Sequence, residues 1–476
     1  MLFNSLSFLF VFLPIALVGC RLLERAKRSS WIALWLGIIS LAFYGWDDPL
    51  RLLPLILASI CFNFLVGTGL AQRPSRSLLA LGIIGNLALL GYFKYAGFLL
   101  DSLGLMGVAG LPEIQVALPI GISFYTFTQI AFLVDAYSGK AREYRFGHYL
   151  LFVTFFPHLV AGPILHHKDM MPQFERRQRN LGNLNDLTLG LSIFLLGLFK
   201  KVVLADGVAV YVAPAFDAAA QGASLGPTDA WMGALAFTLQ LYFDFSGYSD
   251  MAVGLARMFG IDFPINFNSP YKAASLIDFW RRWHMTLSRF LRDYLYIPLG
   301  GNRQGPTRRL INLMLTMLIG GLWHGAAWTF VLWGGLHGLG LVVNHLWRLG
   351  PGKFLALPRW LSWGITFIFV VLAWVPFRAE NFDAAIALWR GMFLGAGENL
   401  PQFDGLEPLQ GWAWIVGLLS LAVLAPNSQE IMLEGANKPL AWKPARAWGI
   451  LLGGMGGMAL AMIVMQAQSE FLYFRF

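Results

Sequence analysis

Apolar runs long enough to cross a bilayer recur along this chain, and no other feature constrains its fold as strongly. A membrane helix needs about 20 predominantly apolar residues to pass the hydrocarbon core. Runs of roughly that length fall at 5–22, 31–46, 50–71, 78–100, 115–136, 149–165, 187–212, 230–259, 308–325, 327–347, 360–377, 411–426 and 447–467. Only 13% of the 476 residues are charged, about half the fraction of a soluble domain. The expectation is an all-α polytopic membrane protein, a bundle of about 11–13 membrane helices with re-entrant and interfacial helices. It reads as a single integral-membrane domain over 1–476, with the motif-bearing core at about 115–348.

The charges are placed as membrane anchors. The excess of 35 Lys and Arg over 26 Asp and Glu sits in short loops, which is unlike a nucleic-acid surface. "RLLERAKR" (21–28), "QRPSR" (72–76), "GKAREYR" (139–145) and "ERRQR" (175–179) are basic, whereas "WDDP" (46–49) and "DSLGLMGVAGLPE" (101–113) are acidic or neutral. By the positive-inside rule the first three basic loops face the cytoplasm and the N-terminus faces outward. The fourth basic loop follows after a single apolar run, so 149–165 is expected to dip in and return. "LVGC" (17–20) resembles a lipoprotein cleavage site, but the basic residues follow the apolar stretch instead of preceding it. Cys20 and Cys61 are too few for a disulfide framework.

Two segments depart from plain spans. In "SLIDFWRRWHMTLSRFLRDYLYIPLGGNRQGPTRR" (275–309), a helical wheel puts Asp278, Arg281, Arg282, Arg289, Arg292 and Asp293 on one arc. Ile277, Trp280, Leu287, Leu291 and Leu295 take the other. That pattern predicts an amphipathic interfacial helix whose His284 lies on the apolar side. In "GGLWHGAAWTFVLWGGLHG" (320–338), His324 stands some 24 Å along a helix that starts near Arg308. An ionisable group at that depth is expected to face the bundle interior or a water-filled cavity. Gly320, Gly321 and Gly325 beside it permit close approach by another backbone or a substrate. His324 and His337 are 13 residues apart with no Cys or carboxylate nearby, and helical ligands want spacings of three or four residues. No metal is therefore expected. From the residues alone, His324 is a packed histidine or a base, and His337 a packing residue.

These segments together resemble the membrane-bound O-acyltransferase family, and most closely its bacterial branch that O-acetylates exopolysaccharides. The resemblance extends through "LPIGISFYTFTQIAFLVDAY" (118–137), "FFPHLVAGPI" (155–164), "LQLYFDFSGYSDMAVGLARMFGI" (239–261), "VPFRAENFDAA" (375–385) and the terminal "FLYFRF". It implies a bundle around a transmembrane tunnel, with the "WHG" histidine, His324, as catalytic residue and the "RWH" histidine, His284, as a second histidine near the reaction. It further implies no bound cofactor, a donor substrate such as acetyl-CoA or another acetyl thioester, and a multi-pass protein of the bacterial inner membrane. The acceptor would be a secreted polysaccharide of alginate or cellulose type. The partners would be a periplasmic or membrane-anchored acetyltransferase with a serine nucleophile, within a polysaccharide synthesis and secretion complex.

The chemistry fits, because imidazole titrates near neutrality and can take a hydroxyl proton during attack on a thioester. The anionic part of the donor could meet Arg281, Arg282, Arg289 and Arg292, although lipid headgroups would suit the same arginines. Asp244 with Tyr248, and Ser246 with Asp250, form a polar ridge that serves either interhelical bonding or tunnel lining. Asp135, Lys200 and Lys201, near span ends, are expected to snorkel. The rival from another class is a transporter or channel with the histidines as a proton relay, which ought to show repeats. A scaffold for a secretion complex would not need either histidine.

Overall fold

The computed structural model describes residues 1–26, 31–112, 116–177, 183–350, 352, 355, 357–395, 408–433, 440–465 and 469–472. Over these residues the chain is helical and forms no strand. Within a bilayer each backbone donor and acceptor must be satisfied inside its own segment, and helices do this. Five helices are long and apolar enough to cross: Pro49–Gln72, Arg76–Leu105, Leu184–Ala209, Arg359–Arg378 and Arg446–Met465. Large apolar side chains on them stay uncovered by protein, among them Leu65, Ile84, Ile365 and Ile450, as lipid-facing surfaces require. The chain is a multi-pass membrane protein.

Several apolar runs are not single helices. The run at 149–165 is helical over Phe146–Thr154, breaks at Phe155, resumes over Phe156–Leu159 and then continues without helix. Residues 149–167 are buried throughout, which is what irregular backbone at membrane depth needs. The segment is thus a broken, buried stretch and not one crossing helix. The run at 115–136 likewise becomes helical only at Ile122–Tyr137.

The chain forms two compact units. The first comprises Met1–Leu198, Tyr248–Ile265 and Lys443–Glu470. Its core holds Phe3, Phe8, Phe12, Phe43 and Phe156, whose rings contact one another. Two buried amides tie its spans: Asn63 Nδ2 donates to Asn86 Oδ1 at 3.1 Å and Asn86 Nδ2 returns a bond to Asn63 Oδ1 at 2.6 Å. Reciprocal bonding satisfies both amides where no water reaches.

The second unit comprises Phe199–Gly247, Asn266–Trp442 and Phe471–Phe476. At its centre helices Gly305–His324 and Trp328–Leu349 form a hairpin with a three-residue turn. Glycine makes the hairpin tight. A Cβ on Gly321 would overlap Phe330 O, and one on Gly334 would overlap Met317 O, while the Gly321 and Gly334 backbones face each other. Of the alternatives open to these glycines, close backbone approach is the one realised at Gly321. The adjacent Gly335 has only Leu318 Cδ2 in range, at an ordinary 3.7 Å. Gly334→Ala is therefore expected to lower stability by about 1–3 kcal/mol through overpacking against backbone. Gly335→Ala should be neutral or gain up to about 1 kcal/mol from helix propensity. Thermal unfolding of the two purified variants in detergent checks the contrast, and equal behaviour would contradict the packing described.

Candidate active site

His324 is the last residue of its helix, because Gly325 (φ −158°, ψ 150°) and Ala327 (φ −149°, ψ 153°) are extended and end the helical ladder. Its side chain is only 3% exposed. Trp333, one turn into the returning helix, sets its ring 4.9 Å from that of His324. Trp323 and Phe377 close in at 5.0 and 5.3 Å. The fourth neighbour is the second histidine of the sequence reading: the rings of His324 and His284 lie 6.5 Å apart.

His284 reaches this place by a route that differs from the expected one. The segment 275–309 is not one amphipathic helix. Ser275 caps a short helix, Leu276–Trp280, by accepting from Asp278 N. A turn follows, and a second short helix, Met285–Leu291, opens at His284. His284 itself is left-handed, with φ 41° and ψ 56°, a conformation that costs a non-glycine residue about 1–2 kcal/mol. A wheel drawn at 100° per residue does not survive such a break. His284 is nonetheless fully buried, with Phe245 edge-on at 4.7 Å and Trp323 at 6.2 Å. Burial pushes its imidazole below the usual histidine range, which favours the neutral ring.

Asn266 holds the turn from the other side. Its backbone O accepts from Met285 N at 2.9 Å, and Asn268 N donates to Arg282 O at 2.9 Å. Its side-chain Oδ1 lies 3.1 Å from His284 Nδ1. The sequence reading missed Asn266, since a lone Asn between apolar neighbours carries no signal of such a role.

The break also disperses the arginine face. Arg281 and Arg282 lie in the turn, Arg289 in the second short helix, and Arg292 opens a π-turn over Arg292–Tyr296. Arg282 bonds Asp278 at 3.0 Å, while Arg289 and Arg292 share Asp293 at 3.9 and 2.7 Å. Arg281 is exposed.

His337 packs as expected. It is buried, and its Nδ1 accepts from Trp280 Nε1 at 3.3 Å, with Trp333 at 4.9 Å and Phe369 at 5.7 Å. Trp333 thus stands between His337 and His324. Among the described residues no group of three His, Cys, Asp or Glu is arranged to hold a metal ion.

Two expectations of snorkelling fail. Lys201 is 3% exposed, and its Nζ sits 2.7 Å from Asp206 Oδ1 and 2.8 Å from Asp244 Oδ1. Asp244, on helix Pro227–Met258, also accepts from Leu472 N at 3.1 Å. Its part of the polar ridge is therefore an ion-pair anchor. Asp135 is 3% exposed and pairs with Lys168 at 3.7 Å. In both cases an opposite charge from the protein offers a better partner than a headgroup. In the first unit a further cluster gathers at Glu143. Burial works against its charge, yet His148, His167 and Arg145 hold its carboxyl well below the usual range.

The helical hairpin and the turn at His284 bring two buried imidazoles together among aromatic rings. The sequence pattern described as "membrane-bound O-acyltransferase family" matches residues 49–380. A peptidoglycan O-acetyltransferase of Helicobacter pylori is 46% identical over 82% of this chain and 80% of its own length. A probable alginate O-acetylase of Pseudomonas putida is 39% identical over the full length of both chains. A teichoic acid D-alanyltransferase of Streptococcus thermophilus is 33% identical over 48% of this chain and 57% of its own. The chain belongs to the membrane-bound O-acyltransferase family and is a membrane-bound O-acyltransferase.

Proposed function

We propose that the chain sits in the bacterial inner membrane and moves acetyl groups from a cytoplasmic thioester, acetyl-CoA, toward hydroxyls of a secreted polysaccharide. The observation that carries this reading is the enclosure of His324 and His284 together, rings 6.5 Å apart, inside an aromatic wall. A neutral imidazole there accepts the proton of an attacking hydroxyl. The new C–O bond forms as the C–S bond breaks, and the proton passes from His324 to the departing thiolate. Exclusion of water protects the thioester from hydrolysis. Arg281, at the exposed turn beside His284, suits the anionic part of the donor, while the three other arginines are partly neutralised by Asp278 and Asp293.

The similarity to the alginate O-acetylase favours an alginate-like or cellulose-like acceptor, and the similarity to the peptidoglycan O-acetyltransferase favours a peptidoglycan glycan as a second reading. Neither polymer fits within a buried histidine site. A second protein outside the membrane, with a serine nucleophile, is therefore assigned the final transfer, within a polysaccharide synthesis and secretion complex. Reconstitution into liposomes tests this, with acetyl-CoA supplied at the face bearing Arg281 and alginate or peptidoglycan glycan at the other. Polymer acetylation is expected only when the serine acetyltransferase is added. Efficient acetylation by this chain alone would overturn the relay, and no consumption of acetyl-CoA in the complete system would overturn the donor.

A further inference from the structure

Asn266 is 1% exposed, and its side-chain oxygen receives three contacts. Thr286 N donates to Asn266 Oδ1 at 3.2 Å, Thr286 Oγ1 donates at 3.0 Å, and His284 Nδ1 lies at 3.1 Å. A backbone N–H can only donate, so the atom it meets must be the amide oxygen, and the amide orientation is fixed. An amide oxygen can only accept, so the imidazole nitrogen facing it must carry a hydrogen. In a neutral ring the second nitrogen then carries the lone pair.

We propose that Asn266 is a positioning residue that holds His284 as the Nδ1–H tautomer, making its buried Nε2 a proton acceptor in the site. This rests on the acyltransferase reading above and adds to it a second basic atom beside His324. A proton removed from the acceptor hydroxyl then has a place on either ring until the thiolate takes it away.

The backbone supports the same assignment. The bonds from Met285 N to Asn266 O and from Asn268 N to Arg282 O bracket His284, so the segment carrying Asn266 also holds the left-handed turn. Strained backbone of this kind persists only where surrounding contacts over-determine it, and it clusters at functional sites. Around the His284 ring stand Phe245 and Phe267, the Trp323 indole with its Nε1–H donor, and His324 as the titratable ring at 6.5 Å. On its own turn, Arg282 is engaged by Asp278 and by Asn268 O, and Arg281 is exposed. Asp244, next to Phe245, is paired with Lys201.

The test compares Asn266→Asp with Asn266→Ala in the purified full-length protein, using acetyl-CoA and the polymer system above. Aspartate keeps an acceptor for Thr286 and His284 but adds a negative charge, which favours the imidazolium. Its neutral, active form is then lost at higher pH than in the wild type. Asn266→Asp should retain turnover at alkaline pH, with the acid limb of kcat moved upward. Asn266→Ala should lower kcat at every pH by about 10-fold or more, with KM for acetyl-CoA little changed, as removal of an orienting partner does. An acid limb unmoved in Asn266→Asp, or wild-type kcat in Asn266→Ala, would overturn the proposal.

A second measurement does not depend on turnover. With 15N-labelled histidine and the His284→Gln protein as the assignment control, ring nitrogen shifts report which nitrogen of His284 is protonated. Protonation at Nδ1 is expected in the wild type, and protonation at Nε2 would overturn the assignment. If the wild type transferred no acetyl at all, the functional reading would fail while this spectrum still decided the tautomer.

Discussion

His324→Ala is expected to reduce acyl transfer by about 10²–10⁴-fold, the usual contribution of a positioned base. The protein should still insert and accumulate. The residue ends helix Gly305–His324, and the hairpin is held as well by the Gly321–Gly334 crossing. Truncation leaves a hole among Trp323, Trp333 and Phe377, so some stability is lost. His324→Gln fills more of that hole without supplying a base. Both variants should therefore be inactive, and glutamine should be the more stable of the two. Acetyl content of the polymer, measured beside membrane levels of the protein, checks this. Retained acetylation in His324→Gln would remove the histidine from the chemistry.

Lys201→Met is expected to have the largest effect on stability of any single substitution considered. Lys201 Nζ is the common partner of Asp206 and Asp244, and Asp244 is 1% exposed. Removing one member of a buried pair strands the other and costs about 3–5 kcal/mol. Replacing both members is milder, so Lys201→Met with Asp244→Asn should recover much of the loss. Unfolding in detergent followed by tryptophan fluorescence gives the comparison. A single variant as stable as the wild type would mean that the pair does not form in the membrane. Because Asp244 also accepts from Leu472 N, loss of the pair should loosen the 469–472 segment, which limited proteolysis would register.

The sequence made the medium and the two histidines legible for different reasons. Apolar runs reveal lipid directly, because length and composition alone decide whether a helix can cross. His324 and His284 stood out because imidazoles are rare and costly in such surroundings, and the structure brings them together. The path between them was not legible. A helical wheel assumes an unbroken helix, and His284 occupies the left-handed residue at which that helix stops. Lys201 misled for a related reason. Its position in the run suggested a nearby headgroup, whereas its partners lie 5 and 43 residues ahead in the chain, at Asp206 and Asp244. Asn266 was invisible because its role depends on a contact with a turn some 18 residues away.

The glycine crossing in the central hairpin limits how this part of the enzyme can move. Two helices that meet through side chains can slide, since flexible ends re-pack after a shift. Gly321 and Gly334 meet backbone to backbone, and a ratchet of one turn, about 5.4 Å, that set Phe330 in the place of Gly334 would drive a side chain into a peptide group. Shear in that direction is thereby closed to the pair. In the proposed reaction a donor would then enter, and a product leave, by rotation of rings such as Trp333 and Phe377 or by the hairpin tilting as one piece.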